Sequence, residues 1–116
     1  MHLFIRCIEG EVQLGPGKIR LLELIDGHGS ISEAARAMDM SYRRAWLLIA
    51  DLNKNFRKPV TSTQTGGKGG GHARLTEFGH DLIRRYRAIE RDATAAVADQ
   101  LSELQAEIAP SQSTNA

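Results

Sequence analysis

One cysteine, Cys7, is all that the 116 residues carry. A single thiol closes no intramolecular disulfide and builds no cysteine-based zinc site; in an apolar stretch it reads as a small buried hydrophobe, at home in a reducing cytoplasm. No apolar run approaches the roughly 20 residues that cross a bilayer, so no membrane partner is expected. The opening MHLFIRCIEGEV lacks the basic-then-apolar pattern of a secretory leader, and a cytoplasmic location is expected. The four histidines, His2, His28, His72 and His80, form no H-x-x-x-H pair, and none sits with a serine, cysteine or carboxylate in a nucleophile motif. His80 and Asp81 are neighbours, but adjacent helical residues face different ways. No enzyme activity, catalytic residue, metal site or cofactor is therefore expected.

What remains is a chain 41% hydrophobic and 25% charged, enough for one globular domain with a modest core. The net charge of +1 conceals an asymmetry. Between Arg36 and Arg74 eight basic residues stand against two acids, a net of +6; from Glu90 to the end five acids stand against one arginine, a net of −4. A basic centre of this kind is the electrostatic footprint of nucleic-acid binding, although a charge run is often only a solvated face.

The stretch TQTGGKGGGHARLT, from Thr63, sets a lysine among five glycines. A phosphate-binding loop needs G-x-x-x-x-G-K-[ST] between a strand and a helix. Here Ser62 stands five before Gly67, Gly69 follows Lys68, and successive glycines start no stable helix. Nucleotide binding is set aside. A flexible basic hairpin tip is the better reading, its glycines letting backbone N–H groups reach a sugar-phosphate strand.

The flanking pattern supports that. Residues 3–14 have strand composition, with a turn signal at Glu9-Gly10. Pro16 suits the first turn of a helix carrying Ile19, Leu21, Leu22, Leu24 and Ile25, and Gly27 or Gly29 ends it. Residues 30–39 read as a short helix capped by Ser30 or Ser32. Ser41 caps a third, over 41–56, with Ala45, Ile49, Leu52 and Phe56 inward. Residues 60–64 and 72–75 read as two strands around the glycine loop. Thr76 then caps a helix to Ala109 whose apolar seam runs Leu82, Tyr86, Ile89, Ala93, Val97, Leu101, Leu104 and Ile108. At ~1.5 Å per residue it is about 50 Å long, so it projects from a small domain.

Three helices and then a hairpin with a basic tip make a winged helix-turn-helix. The expected fold is mainly α with a small β component: residues 1–75 as the DNA-binding domain, 76–109 as a long C-terminal dimerisation helix, and 110–116 as a disordered tail. The third helix is expected in the major groove of double-stranded DNA. Arg43 is placed to read guanine, and Leu47 and Ala50 suit thymine methyl groups. Ser41, Tyr42, Arg44 and Lys54 lie around them, and Lys68, His72 and Arg74 belong to the wing. For Tyr42 and Trp46, partial packing against the core is as strong an expectation as base contact, or stronger. Leu82, Tyr86, Ile89, Val97, Leu101, Leu104 and Ile108 are expected to bury against a second copy, giving a homodimer on a palindrome with half-sites roughly 34 Å apart.

The run GSISEAARAMDMSYRRAWLLIADLN, followed by TGGKGGGHARLTEFG, resembles the N-terminal DNA-binding domain of the molybdate-responsive ModE-type regulators. It is more distantly similar to the DNA-binding domains of LysR-type regulators. The likeness covers about residues 17–90, with S-Y-x-x-A-W and T-G-G-K-G-G-G as its specific motifs. It implies Ser41, Tyr42, Arg43 and the Lys68 wing at the DNA, a long dimerising helix, and a bacterial repressor of molybdenum-related genes. Full-length members carry C-terminal molbindin-type domains that bind the oxyanion. Those ligand residues have no counterpart here, which leaves two expectations: the chain regulates without a ligand of its own, or a separate oxyanion-sensing protein supplies the signal. The rival reading is an adaptor that dimerises with a full-length regulator and modulates its DNA occupancy.

Overall fold

The computed structural model describes residues 5–6, 13–64 and 72–110. Two short strands, β1 (Ile5–Arg6) and β2 (Gln13–Leu14), pair antiparallel. Then come α1 (Pro16–His28), α2 (Ile31–Ala37), α3 (Tyr42–Asn55), β3 (Thr61–Gln64), β4 (His72–Leu75) and α4 (Glu77–Ala106). Three helices followed by a two-stranded antiparallel hairpin and a long helix make a winged helix-like fold. Cys7, the Glu9-Gly10 turn, the glycine loop with Lys68, and the tail after Pro110 lie outside the described residues.

Each helix begins where the chain supplies a cap. Pro16 opens α1. The hydroxyls of Ser30, Ser41 and Thr76 accept bonds from the N–H groups of Glu33, Arg44 and Gly79, three residues on in each case. Gly29, at φ 78°, ends α1 in the left-handed conformation that glycine adopts without strain. The turn after α2 has no glycine. Asp39 takes φ 57° there, and Met40 N–H donates back to the Ala35 carbonyl. Aspartate is among the few residues that tolerate this region. Ala34 and Ala35 are fully buried in the crowded space between α2 and its neighbours, where a larger side chain would part the helices.

The core takes Ile19, Leu21, Leu22 and Ile25 from α1, Ile31 with the alanine pair from α2, and Ala45, Ile49 and Leu52 from α3. Phe56 is extended backbone rather than helix, and its ring lies 5.4 Å from that of Phe78, tying the end of α3 to the start of α4. On β4 the period-two alternation buries Ala73 and Leu75 and exposes His72 and Arg74. In register, Ser62 faces Arg74 and Gln64 faces His72.

The hairpin is fastened to the helices by polar bonds at its base. Asn53 on α3 accepts from Val60 N–H at 2.7 Å. The Thr76 hydroxyl donates to the Pro59 carbonyl at 2.6 Å, and Thr76 N–H donates to Val60. Ala73 N–H donates to Gly29, joining β4 to the α1–α2 junction. Gly79 fits this base because an alanine Cβ there would collide with the Val60 carbonyl oxygen. On the other side, Arg87 makes a two-pronged bond to Glu23 on α1, at 2.9 and 3.1 Å, and a third to Glu90. Glu23 foremost, then Glu90, raises its already high pKa further, so α1 and α4 are joined by a permanent charge.

One sequence expectation is corrected by the packing. Leu82 and Tyr86, read as part of a dimer seam, are buried in the chain's own core. The first half of α4 lies on α1, which occupies that face. Burial also raises the Tyr86 pKa. The helix stops at Ala106 rather than Ala109, and Ile108 lies just past its last turn.

Candidate nucleic-acid interface

The outward side of α3 follows from its inward stripe. With Ala45, Ile49 and Leu52 buried, Arg43, Leu47 and Lys54 fall on the opposite side, and all three are exposed. Ser41, Tyr42, Arg44 and Trp46 are exposed beside them, and Ala50 is half-buried. Tyr42 and Trp46 are 54% and 49% accessible, so about half of each ring is left open to a partner while the rest is covered by the chain. Leu47 is equally open at 49%. A shallow groove runs along the start of the helix between Ser41, Arg43, Arg44, Leu47 and Leu48. A second opens where α2 meets α3, lined by Ser32, Arg36, Asp39 and Tyr42 among others.

The arrangement of ion pairs divides the molecule. On α1 and α4, Lys18, Arg20, Arg84, Arg85 and Arg87 each lie against a carboxylate. Asp81, held by Arg85 and then Arg84, has its pKa lowered by them. On α2, α3 and the hairpin the position is reversed. Among the described residues, Arg36, Arg43, Arg44, Lys54, Arg57, Lys58 and Arg74 have no acidic partner. Asp51, the one acid of α3, is drawn 2.9 Å from Lys18 of α1, which neutralises it. The surface built from α3 and its surroundings is left with uncompensated positive charge, as a polyanion site requires.

Of the residues singled out for DNA, Ser41, Tyr42, Arg43, Arg44, Leu47, Lys54, His72 and Arg74 are therefore all at the surface, and Lys68 lies outside the described residues. The polar bonds of Asn53 and Thr76 tie the end of α3 and the base of the hairpin into one frame. Sequence reasoning passed over Arg36 as a site residue. Its signal was its place on α2, away from the buried alanine pair.

From Thr94 onward every described residue of α4 is exposed. Val97, Leu101, Leu104 and Ile108 continue the apolar seam from Ile89 and stand exposed, with no cover from the other described residues. Helix α4 has 30 residues, and the molecule measures 57 × 36 × 24 Å. Among the described residues no helix is long and apolar enough to cross a membrane, and no acid, histidine or cysteine cluster is placed to hold a metal ion.

No protein-family model matches the chain. Individual proteins do. The chain is 41% identical over 88 residues to the molybdenum-pterin-binding protein MopA of Rhodobacter capsulatus, which takes in 76% of this chain and 33% of MopA. It is 39% identical over 90 residues to the molybdenum transport protein ModE of Azotobacter vinelandii, covering 78% of this chain and 33% of that protein. With the DNA-binding transcriptional dual regulator ModE of Escherichia coli K12 it shares 42% identity over 71 residues, 61% of this chain and 27% of the regulator. The matched stretch thus spans between about a quarter and a third of the length of these relatives. Through these alignments the chain is ModE-related, its homologues being ModE transcriptional regulators and Mop molybdenum-pterin-binding proteins.

Proposed function

We propose that the chain is the sequence-specific DNA-binding part of a ModE-type transcriptional regulator. It acts as a homodimer, with α3 in the major groove and the hairpin against the adjacent backbone. The observation that carries this reading is the sorting of charge: Arg91 apart, the cations of α1 and of the first half of α4 are paired, and those around α3 are unpaired. Arg43 reads a guanine edge. Ser41, Arg44, Lys54, Lys68, His72 and Arg74 hold phosphates, and Arg36 joins them from α2. The distal half of α4, from Ile89, packs on a second copy and sets two reading helices about 34 Å apart on a palindrome. Occupancy of that site represses genes of molybdenum handling, the biology that the relatives' names carry.

Selection of bound genomic fragments, followed by titration of the recovered site at several salt concentrations, tests this. Affinity should fall steeply with salt, with a slope of about −0.9 per phosphate neutralised. Arg43→Ala should cost about 1–3 kcal/mol on the selected site and relax preference at one base position. Arg74→Ala should weaken every duplex alike and make the salt slope shallower by about one. Uniform loss from both substitutions, or failure to enrich any sequence, would remove α3 as the reading element.

A further inference from the structure

Among the described residues, large apolar side chains stand open to solvent in two places: the distal half of α4, and Tyr42, Trp46 and Leu47 on α3. About half of each side chain in the second group faces solvent, and none belongs to the buried core. The buried stripe of α3 is complete without it, and a helix face meant only for water would carry lysine or glutamate instead. Tyr42 and Trp46 are four residues apart and share a strip; Leu47 lies one turn beyond Arg43 on the neighbouring one. Cations border this apolar surface, Arg43, Arg44 and Lys54 on α3 itself and Arg36 on α2, none with an acidic partner among the described residues. An occupant must therefore present negative charge at its margins and an apolar group at its centre.

A duplex major groove is such a partner. Phosphates form its rims, and the only apolar group on its floor is the 5-methyl of thymine. We infer that Trp46 and Leu47 are specificity-determining residues that read thymine methyl groups, so that the recognised half-site places thymine close to the guanine met by Arg43. Arg43 and Leu47 are one turn apart, about 6 Å along the helix at ~1.5 Å per residue. That distance spans about two base-pair steps at ~3.4 Å each. The inference rests on the DNA-binding reading above and gives it a chemical preference that charge alone does not supply.

The test replaces thymine by deoxyuridine, one position at a time, in the selected operator, leaving every hydrogen-bonding edge intact. At one or two thymines per half-site the intact protein should bind about three- to fivefold more weakly, the effect of one lost methyl contact. Leu47→Ala and Trp46→Ala should each bind the thymine operator more weakly and lose that discrimination at its own position, since the partner of the methyl is gone. Circular dichroism of both variants should match the parent, because neither side chain is buried. An operator bound tightly and in a salt-dependent manner, but with no deoxyuridine penalty, would overturn the inference while the DNA-binding reading stands. So would a penalty that persists unchanged in both variants. If the variants bind the operator as the parent does, the strip belongs to a protein contact instead. If no duplex is selected at all, both readings fall together.

Discussion

Gly79→Ala should lower the melting temperature by roughly 10–20 °C, although alanine favours a helix over glycine by about 1 kcal/mol. The position is helical, so no backbone conformation forbids the change. The obstacle is the Val60 carbonyl oxygen, which an added Cβ would strike, with the Val60 carbonyl carbon 3.2 Å away and the Leu75 Cβ 3.3 Å away. Side chains can swing aside, but this carbonyl cannot. It accepts the Thr76 N–H at 3.0 Å, and its residue is held from the other side by Asn53. Accommodating one methyl group means moving the base of the hairpin from the start of α4. Overpacking of a well-filled site costs about 1–3 kcal/mol, and a backbone obstacle lies at the upper end of that range or beyond it. The net loss is therefore a substantial part of a total stability of about 5–15 kcal/mol. Gly27→Ala is the control. Gly27 is also helical and meets nothing within 4 Å, so that change should stabilise by about 0.5–1 kcal/mol. A Gly79→Ala protein that melts at or above the parent would show that the hairpin base is not seated as described.

The double substitution Leu101→Glu with Leu104→Glu should leave the fold intact and abolish the dimer. Both residues are exposed in the single chain, 40% and 65%, so neither supports its own core. In a dimer they would lie at the centre of the seam. Burying a leucine is worth about 1.5–3 kcal/mol, and the change acts in both copies. A carboxylate there would have to be desolvated without a counter-charge, next to a helix end that already carries Asp99, Glu103 and Glu107. Sedimentation should show a monomer at concentrations where the parent is dimeric. Affinity for the full palindrome should fall on the order of a hundredfold or more, because linkage of two sites contributes that much. Affinity for an isolated half-site should hardly move. A parent chain that is already monomeric at tens of micromolar, or a variant that keeps its palindrome affinity, would refute the pairing of α4 with itself.

Much of the frame was legible in the residues, for local reasons. Ser30, Ser41 and Thr76 announce helix starts because their hydroxyls satisfy orphan N–H groups within the same turn. Ala45, Ile49 and Leu52 repeat at helical spacing because α3 has one buried side. The seam of α4 was harder. Its three-and-four spacing runs unbroken from Leu82 to Ile108, while its surroundings change on the way: Leu82 and Tyr86 meet the chain's own core, and Leu104 meets solvent. Periodicity tells which side of a helix is apolar, not what covers it. The pairing of Arg87 with Glu23, 64 residues away, was likewise illegible, as was that of Lys18 with Asp51. Neither partner has a local signal. That second pair bears on the candidate site, because it removes the one negative charge that α3 carries. Trp46 was undecided in sequence because indole suits both a core and a groove, and the structure leaves it half-exposed.

That exposure has a practical corollary. Trp46 is the only tryptophan in the chain. Intrinsic fluorescence excited at the indole band therefore comes from a single reporter on α3, with no background from elsewhere in the molecule. In the free protein its emission should be that of a hydrated indole, shifted to the red. Stacking or desolvation against a ligand should quench it or move it to the blue, so an unlabelled sample can be titrated optically.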